Sequence, residues 1–306
     1  MMTAQTKVSI CLPTYQRPEL IGQCLDSCLA QTHANLEVLI GDDSKDDRTR
    51  ALIDAKYAAD PRVRYVKNEP SFGQARNVAS LFARATGDKI LLIHDDDFLV
   101  ENGVERLLSA WDAHPDIEVA FGDQYETDEH GNVDRAASEH INTVYHRTRE
   151  AAGLQPLPGQ TGLIQMFPNN GWMANADLVK RVNYKEQYGM CCDYVFGSEL
   201  CLAAKGVYYL KEYVSYYRKT AVSVTTTTRA SLSASTVVAY DFVSRLDLPR
   251  PLEAARRVAL RRMVPRRSLR IALGHLFAYN YGFSMRFYYH LMMIFRAMVA
   301  PARQAG

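Results

Sequence analysis

Short β-branched runs alternate with helix-period segments through the first 122 residues, and this alternation constrains the fold more than any other feature. VSICL (8–12), LEVLI (36–40), VRYV (63–66), KILLIH (89–94) and IEVAF (117–121) read as strands, several continuous enough to be buried on both faces. Between them Pro18 opens a helix at its first position, where proline costs no hydrogen bond. Leu20, Ile21, Cys24, Leu25, Cys28 and Leu29 then mark one apolar stripe, and residues 73–85 and 103–113 repeat the pattern. Strand, helix, strand in series predicts an α/β fold whose mostly parallel sheet is covered on both faces. Ligands are expected beyond the carboxyl ends of its strands.

From about 123 to 170 the pattern loosens into polar, Gly/Pro-rich sequence, including GLQPLPGQTG at 153–162, which reads as a long excursion or lid and not as core. Regularity returns with NGWMANADLVKRV (170–182) and with DYVFGSELCLAAKG (193–206), a helix closed by Gly206. A Tyr-rich strand, VYYLKEYVSYY (207–217), follows. After TTTT at 225–228 the chain turns helical, with Pro249, Pro251 and Pro265 marking breaks. A chain of 306 residues, 47% hydrophobic and 23% charged, can bury a sizeable core and is no collagen, coiled coil or disordered tail.

Cys11, Cys24 and Cys28 sit where a small hydrophobe would serve, Cys191 and Cys192 are adjacent and poorly spaced for zinc, and no CxxC occurs. Buried thiols in a reducing, cytoplasmic setting are the expectation. Residues 1–9, MMTAQTKVS, show no basic start followed by an apolar stretch, so no secretory signal is expected there.

The formal net charge of +2 hides an asymmetry: residues 250–306 carry eleven Arg, no Lys and one acid, Glu253, for a segment net of +10. The first 249 residues therefore carry −8. An acidic body with an arginine-rich, apolar tail predicts a tail that faces something anionic. The charge-free runs IALGHLFAYNYGFSM (271–285) and FYYHLMMIF (287–295) fall short of the roughly 18 to 20 residues of a spanning helix. Two readings fit: an interfacial helix pair on an anionic membrane surface, or a pair packed on the body or a second subunit with solvated arginines. No RNA or DNA motif accompanies the basic run, so nucleic acid is not an expected partner.

Two acidic clusters follow strands. HDDDF (94–98) places three consecutive carboxylates at a strand end. They repel one another, and a divalent cation held by hard oxygen ligands is the common remedy; the alternative is one helix cap with the others solvated. Alternation along an extended chain would point Asp95 and Asp97 one way and Asp96 the other. In GDDSKDD (41–47) the carboxylates can accept hydrogen bonds from a nucleobase or ribose. They can equally form an Asx-turn and cap a helix starting near Asp47.

With Pro13, Thr14, Tyr15 and Arg17 after the first strand, DDS (42–44) after the second, FGQARN (72–77) before a helix and HDDDF after the fourth, the order and spacing resemble the family 2 glycosyltransferases of the GT-A fold. The resemblance covers roughly residues 7–225. It implies a Rossmann-like, mostly parallel sheet flanked by helices as a catalytic domain at 1–225, with a nucleotide-binding half at about 1–122, an acceptor half at about 123–225, and an added C-terminal helical segment at 226–306. It further implies inverting transfer of a sugar from a nucleotide-sugar donor, UDP by family habit, to a hydroxyl of a glycan or lipid-linked oligosaccharide. Surface polysaccharide or glycoconjugate synthesis at the cytoplasmic membrane face is the implied setting.

Residue by residue, the resemblance gives the backbone of Pro13, Thr14 and Tyr15 with Asp42 or Asp43 to the base and ribose, and Arg17 and Arg76 to the nucleotide. The family's D-x-D-D motif falls on His94 to Asp97. Asp96 best matches the ligand of Mn2+ or Mg2+, with Asp97 beside it and Asp95 facing ribose or metal. His94 replaces the usual first aspartate, and three roles stay open for it: metal ligand, ribose donor or packed side chain.

NGWMAN (170–175), CCDYVFGSEL (191–200) and SYYRKTAVSVT (215–225) match, in order, the family's aromatic segment, its Glu-Asp helix start and its strand ending in Tyr-Arg. Asp193 takes the place of the catalytic base, with Cys192 where Glu is common, and Trp172, Cys192 and Arg218 become candidates for contact with the donor sugar or acceptor. An Asp just before a helical run is equally a good N-cap. Glu199, about 240° further round the helix, is the runner-up base. Thr220 stands where many relatives have His, which would reassign that contact to Arg218 or Lys219. A non-catalytic nucleotide- or glycan-binding scaffold of the same fold competes with this reading. A nucleotidyltransferase is disfavoured, because no glycine follows the first strand until Gly22.

Overall fold

The computed structural model describes residues 5–220, 234–265, 269–270 and 292. TTTT, the run 271–285 and nearly all of 287–295 lie outside the described residues. The chain divides into two compact units, 1–228 and 229–306.

The run at 8–12 becomes β1 (Val8–Thr14), and Pro18 starts α1 (Pro18–Leu29), which buries Ile21, Cys24, Leu25 and Cys28. β2 (Leu36–Asp42), α2 (Arg48–Lys56), β3 (Val63–Lys67), α3 (Gln74–Arg84) and β4 (Lys89–Leu92) continue the strand-helix series. These four strands pair in parallel in the order β3-β2-β1-β4, with Thr14 beside Asp42 at the carboxyl ends of β1 and β2. All seven residues of β2 are buried, as expected for a strand covered on both faces. Val8, Ile10 and Leu12 of β1 face one core with the buried side chains of α1 and α2. The period of two turns Cys11 to the opposite face.

After β4 come β5 (Phe98–Leu99), α4 (Gly103–Ala113), β6 (Val119–Thr127), β7 (Val133–Asp134), α5 (Arg135–Val144), β8 (Gly153–Leu154) and α6 (Pro158–Leu163). β9 (Trp172–Asn175), α7 (Ala176–Val182), α8 (Cys192–Ala203) and β10 (Val207–Arg218) complete the unit. The sheet runs β3-β2-β1-β4-β9-β6-β10-β5. β9 enters antiparallel between β4 and β6, whereas β6 and β10 pair in parallel.

Three expectations change. Residues 123–127 are not loop: β6 continues through them as a polar strand in which Asp123, Gln124 and Glu126 are buried. β9 flanks β6 only over 119–121. Beyond it, α5 supplies the missing partners: Asn142 Oδ1 accepts from the Gln124 amide at 3.2 Å and Ser138 Oγ from the Glu126 amide at 2.8 Å. The segment read as a lid is core instead, with Leu163, Met166 and Phe167 buried. Within it Gly162 serves close helix approach, since a Cβ there would lie 2.6 Å from the Gly197 carbonyl oxygen of α8. Finally, α8 ends at Ala203 with Ala204 extended, and Gly206 belongs to the turn into β10, its carbonyl accepting from the Glu118 and Val119 amides.

In the second unit, α9 (Ala234–Arg245) and α10 (Glu253–Met263) are described, with Tyr240 and Val264 buried against Leu260, Met263 and Leu269. Arg257, Val258 and Arg261 of α10 are exposed. Among the described residues no helix is long and apolar enough to cross a membrane.

Candidate active site

The carboxyl ends of β1, β2 and β4 meet at one rim. Thr14 Oγ1 donates to Asp95 at 2.7 Å, and the Tyr15 amide points at the same carboxylate. Gln16 then adopts a left-handed backbone (φ 53°), and its amide donates to Ser44 Oγ at 2.7 Å, tying the end of β1 to the loop after β2. The next residue, Arg17, sends Nη1 to Asp95 at 3.1 Å and to Asp96 at 2.7 Å. Tyr15 stays exposed beside them.

The acidic segment is a turn and not an extended chain, because the Asp97 amide donates to the His94 carbonyl at 3.1 Å. The expected alternation therefore fails. Asp95 and Asp96 both face Arg17, while Asp97 turns to Asn170 Nδ2 and to the Arg218 amide at 2.9 Å. Burial raises the Asp95 carboxyl above its ordinary value against the opposing pull of Arg17. Burial, with the Asp96 charge, pushes Asp97 well above its own.

One ring nitrogen of His94 and one carboxylate oxygen each from Asp96 and Asp97 lie within 4.8 Å of one another. His94 Nε2 is buried with no hydrogen-bond partner among the described residues. Two hard oxygens and an imidazole nitrogen fit Mn2+ or Mg2+.

Asp42 and Asp43 are committed within the protein. Asp42 accepts from the Ser44 amide at 2.8 Å, an Asx-turn, and from the Tyr65 hydroxyl at 2.7 Å. Asp43 accepts from Asn68 Nδ2 at 2.7 Å and from the Phe72 and Gly73 amides at 3.1 and 2.6 Å. Asp43 thereby shapes the loop that leads into α3, where Gly73 needs its positive φ of 79°. The first turn of α3 presents Arg76 to solvent with its guanidinium 4.9 Å from the Phe72 ring centre.

Asp193 sits in the first turn of α8 and does not cap it: the cap residue is Cys191, without a side-chain bond. The Asp193 carboxylate accepts from the Tyr184 hydroxyl at 2.8 Å and faces Gln74 Nε2 at 3.2 Å. Burial and the Asp193 charge hold the Tyr184 hydroxyl well above its ordinary value, so it stays a neutral donor. Gln74 is the first residue of α3, directly after the Gly73 amide held by Asp43, so Asp193 reaches the same rim as the strand ends. Glu199 is taken by Lys185 at 2.7 Å.

The sequence profile of glycosyl transferase family 2 matches residues 9–169. The chain belongs to that family. It is 30% identical over 122 residues to the glycosyltransferase GlyG of Streptococcus pneumoniae, an alignment covering 40% of each chain. The chain thus spans well under half of that relative. Staphylococcus aureus TarS, solved with UDP-GlcNAc, shares the fold at a TM-score of 0.64 and 16% identity, over 95% of this chain and 81% of that one. Mannosyltransferase PcManGT from Pyrobaculum calidifontis, solved with GDP-Man and Mn2+, aligns at a TM-score of 0.60 and 14% identity, over 97% and 82%.

Three residues expected to touch sugar in this family member are placed otherwise. Trp172 is fully buried in an aromatic core with Phe82, Phe167 and Phe196. Cys192 is buried, and its thiol is pushed up to about 12 by burial and the neighbouring Asp193 charge, which makes it inert. Arg218 is a buried clamp under the acidic turn. Its Nε donates to the Asp96 carbonyl at 2.8 Å, Nη1 to the Glu129 carbonyl at 2.9 Å and Nη2 to Gln23, and its guanidinium lies over the Phe98 ring.

Sequence reasoning missed a buried relay behind the turn. Arg147 Nη1 donates to Gln124 Oε1 at 3.0 Å, Gln124 Nε2 to Asn170 Oδ1 at 2.9 Å, and Asn170 to Asp97. Burial lowers the Arg147 guanidinium to about 10. Of these residues only Asn170 lay in a segment that stood out, NGWMAN; Tyr184, Gln124 and Arg147 carry no local signature.

Proposed function

We propose that this glycosyltransferase moves a sugar from a nucleotide-sugar donor to a hydroxyl of a glycan or lipid-linked glycan, with inversion at the anomeric carbon. What supports this reading is the rim: Arg17 reaches the acidic turn at the carboxyl ends of β1 and β4, and Asp193 faces Gln74 at the start of α3, two residues before Arg76. The exposed Tyr15 and the Pro13 to Tyr15 backbone seat the base and ribose, and Arg76 meets the phosphates. Asp43 acts on the nucleotide by holding the loop before α3, the helix that carries Arg76, and Asp42 by holding the turn after β2. Asp193, held by Tyr184, takes the proton of the acceptor hydroxyl as it attacks. Mn2+ or Mg2+ held by Asp96, Asp97 and His94 would supply positive charge against the departing diphosphate. The nucleotide-bound neighbours TarS and PcManGT support the donor class, UDP- or GDP-linked.

Residues 1–122 form the nucleotide half, 123–225 the acceptor half, and 226–306 a membrane-facing segment whose arginines hold the enzyme at the cytoplasmic face. The test is release of nucleoside diphosphate from a panel of UDP-, GDP- and dTDP-sugars. One donor class is expected to turn over. Asp193→Asn should lower release at least about a hundredfold with nucleotide binding retained. Nucleotide binding without release from any donor would favour a scaffold instead.

A further inference from the structure

Arg17 holds the carboxylate that the proposed cation needs. Its Nη1 lies 2.7 Å from Asp96 and 3.1 Å from Asp95, and among the described residues no other salt bridge reaches either acid. The guanidinium sits on Asp96 Oδ2, and a positive charge held that close opposes a divalent cation on either oxygen of the same carboxylate.

The geometry also lets Arg17 leave. Among the described bonds only Nη1 is engaged, and the side chain is 33% exposed, so the guanidinium already borders solvent. Its departure would not undo the turn: Asp95 keeps the Thr14 hydroxyl at 2.7 Å, and the Asp97 amide keeps the His94 carbonyl. Asp96, by contrast, would be freed, since its carboxylate has no other protein donor among the described bonds. A diphosphate arriving at this rim brings the anionic oxygens that a guanidinium prefers, in forked geometry.

We infer that Arg17 is an internal counter-ion that occupies Asp96 in the nucleotide-free enzyme and moves to the donor diphosphate when the donor binds. Cation and donor then bind cooperatively, and the empty enzyme holds the cation poorly. The inference rests on Asp96 being a cation ligand, as proposed above.

The experiment is Mn2+ binding to the full chain, followed by electron paramagnetic resonance of free Mn2+, with and without UDP or GDP. Wild type should bind Mn2+ weakly alone and on the order of tenfold more tightly with its nucleotide. Arg17→Gln should bind Mn2+ on the order of tenfold more tightly without nucleotide, and lose most of the further gain. Arg17→Lys, which keeps the charge, should behave as wild type. If Arg17→Gln fails to fold, the double variant Arg17→Gln/Asp95→Asn removes the unpaired buried charge and carries the same expectation. Unchanged nucleotide-free affinity in the charge-removing variants would overturn the counter-ion role alone. Mn2+ binding that Asp96→Asn leaves untouched would overturn the metal assignment beneath it.

Discussion

The hydroxyl of Tyr184 donates to Asp193 at 2.8 Å, from a ring packed against Phe82 and Phe196. A carboxylate in the first turn of a helix has rotamers to choose from, and this bond selects the one that faces Gln74 on the rim. Tyr184→Phe keeps the packed ring and removes only the donor. A hydrogen bond to a charged group contributes about 1.5 to 3 kcal/mol, so turnover should fall roughly 10- to 100-fold with the donor KM unchanged. Steady-state kinetics with the preferred donor would check it; an unchanged kcat would show that Asp193 needs no such orientation.

Behind the acidic turn, Asn170 is fully buried and donates to Asp97 while accepting from Gln124. Asn170→Ala leaves a buried carboxylate short of a donor and a buried amide short of an acceptor. The expected cost is about 1 to 3 kcal/mol in thermal or urea unfolding. Outer-shell partners also orient ligands, so Mn2+ affinity in the presence of nucleotide should drop about 10- to 100-fold. Loss of stability without loss of affinity would confine the relay to folding.

Glu37 supplies a pH dependence far from the rim. Burial alone would raise its carboxyl, but donors from the Ser9 hydroxyl, the Thr86 amide and hydroxyl, and Lys7 outweigh that and hold it at about 2. A folded value below the unfolded one gives stability that is present above about pH 4.3 and lost as pH falls toward about 2. Glu37→Gln should be less stable than wild type at neutral pH, and the gap should close on acidification. Parallel stability curves from pH 6 to pH 2.5 would contradict the assignment.

Arg257 and Arg261 are exposed on one stretch of α10. Each basic residue near an anionic bilayer contributes about 1 kcal/mol, screened by salt. Replacing both with Gln should weaken sedimentation with phosphatidylserine-containing vesicles several-fold at low salt, with little effect on neutral vesicles. Equal binding to both vesicle types would remove the membrane role.

The first 122 residues were legible because short β-branched runs alternate there with helix-period segments, and Thr14, Asp42 and Asp95 close or follow those runs. Residues 123–225 were less so. Gly162 looks like a loop residue in sequence, yet it lets α6 lie against Gly197. Asp123, Gln124 and Glu126 hide a strand, because buried polar residues break the apolar pattern that marks one. Trp172 and Arg218 stood in motif positions, and only packing shows that one fills a core and the other braces a turn. Tyr184 could not be paired with Asp193 from sequence, since their contact depends on the turn 186–191 folding back.

On the proposed function, the acidic turn and the rim bind a nucleotide with a divalent cation. The most direct measurement is a thermal-shift titration with UDP, GDP, dTDP and CMP, each with and without Mn2+ or Mg2+, on wild type and Asp96→Ala. A ligand specific for the native state stabilises it by about 2.7 kcal/mol at a hundredfold excess over its Kd. A metal-dependent rise in Tm for one nucleotide, lost in Asp96→Ala, is the predicted result. No shift with any nucleotide, or a shift that Asp96→Ala leaves intact, would contradict it.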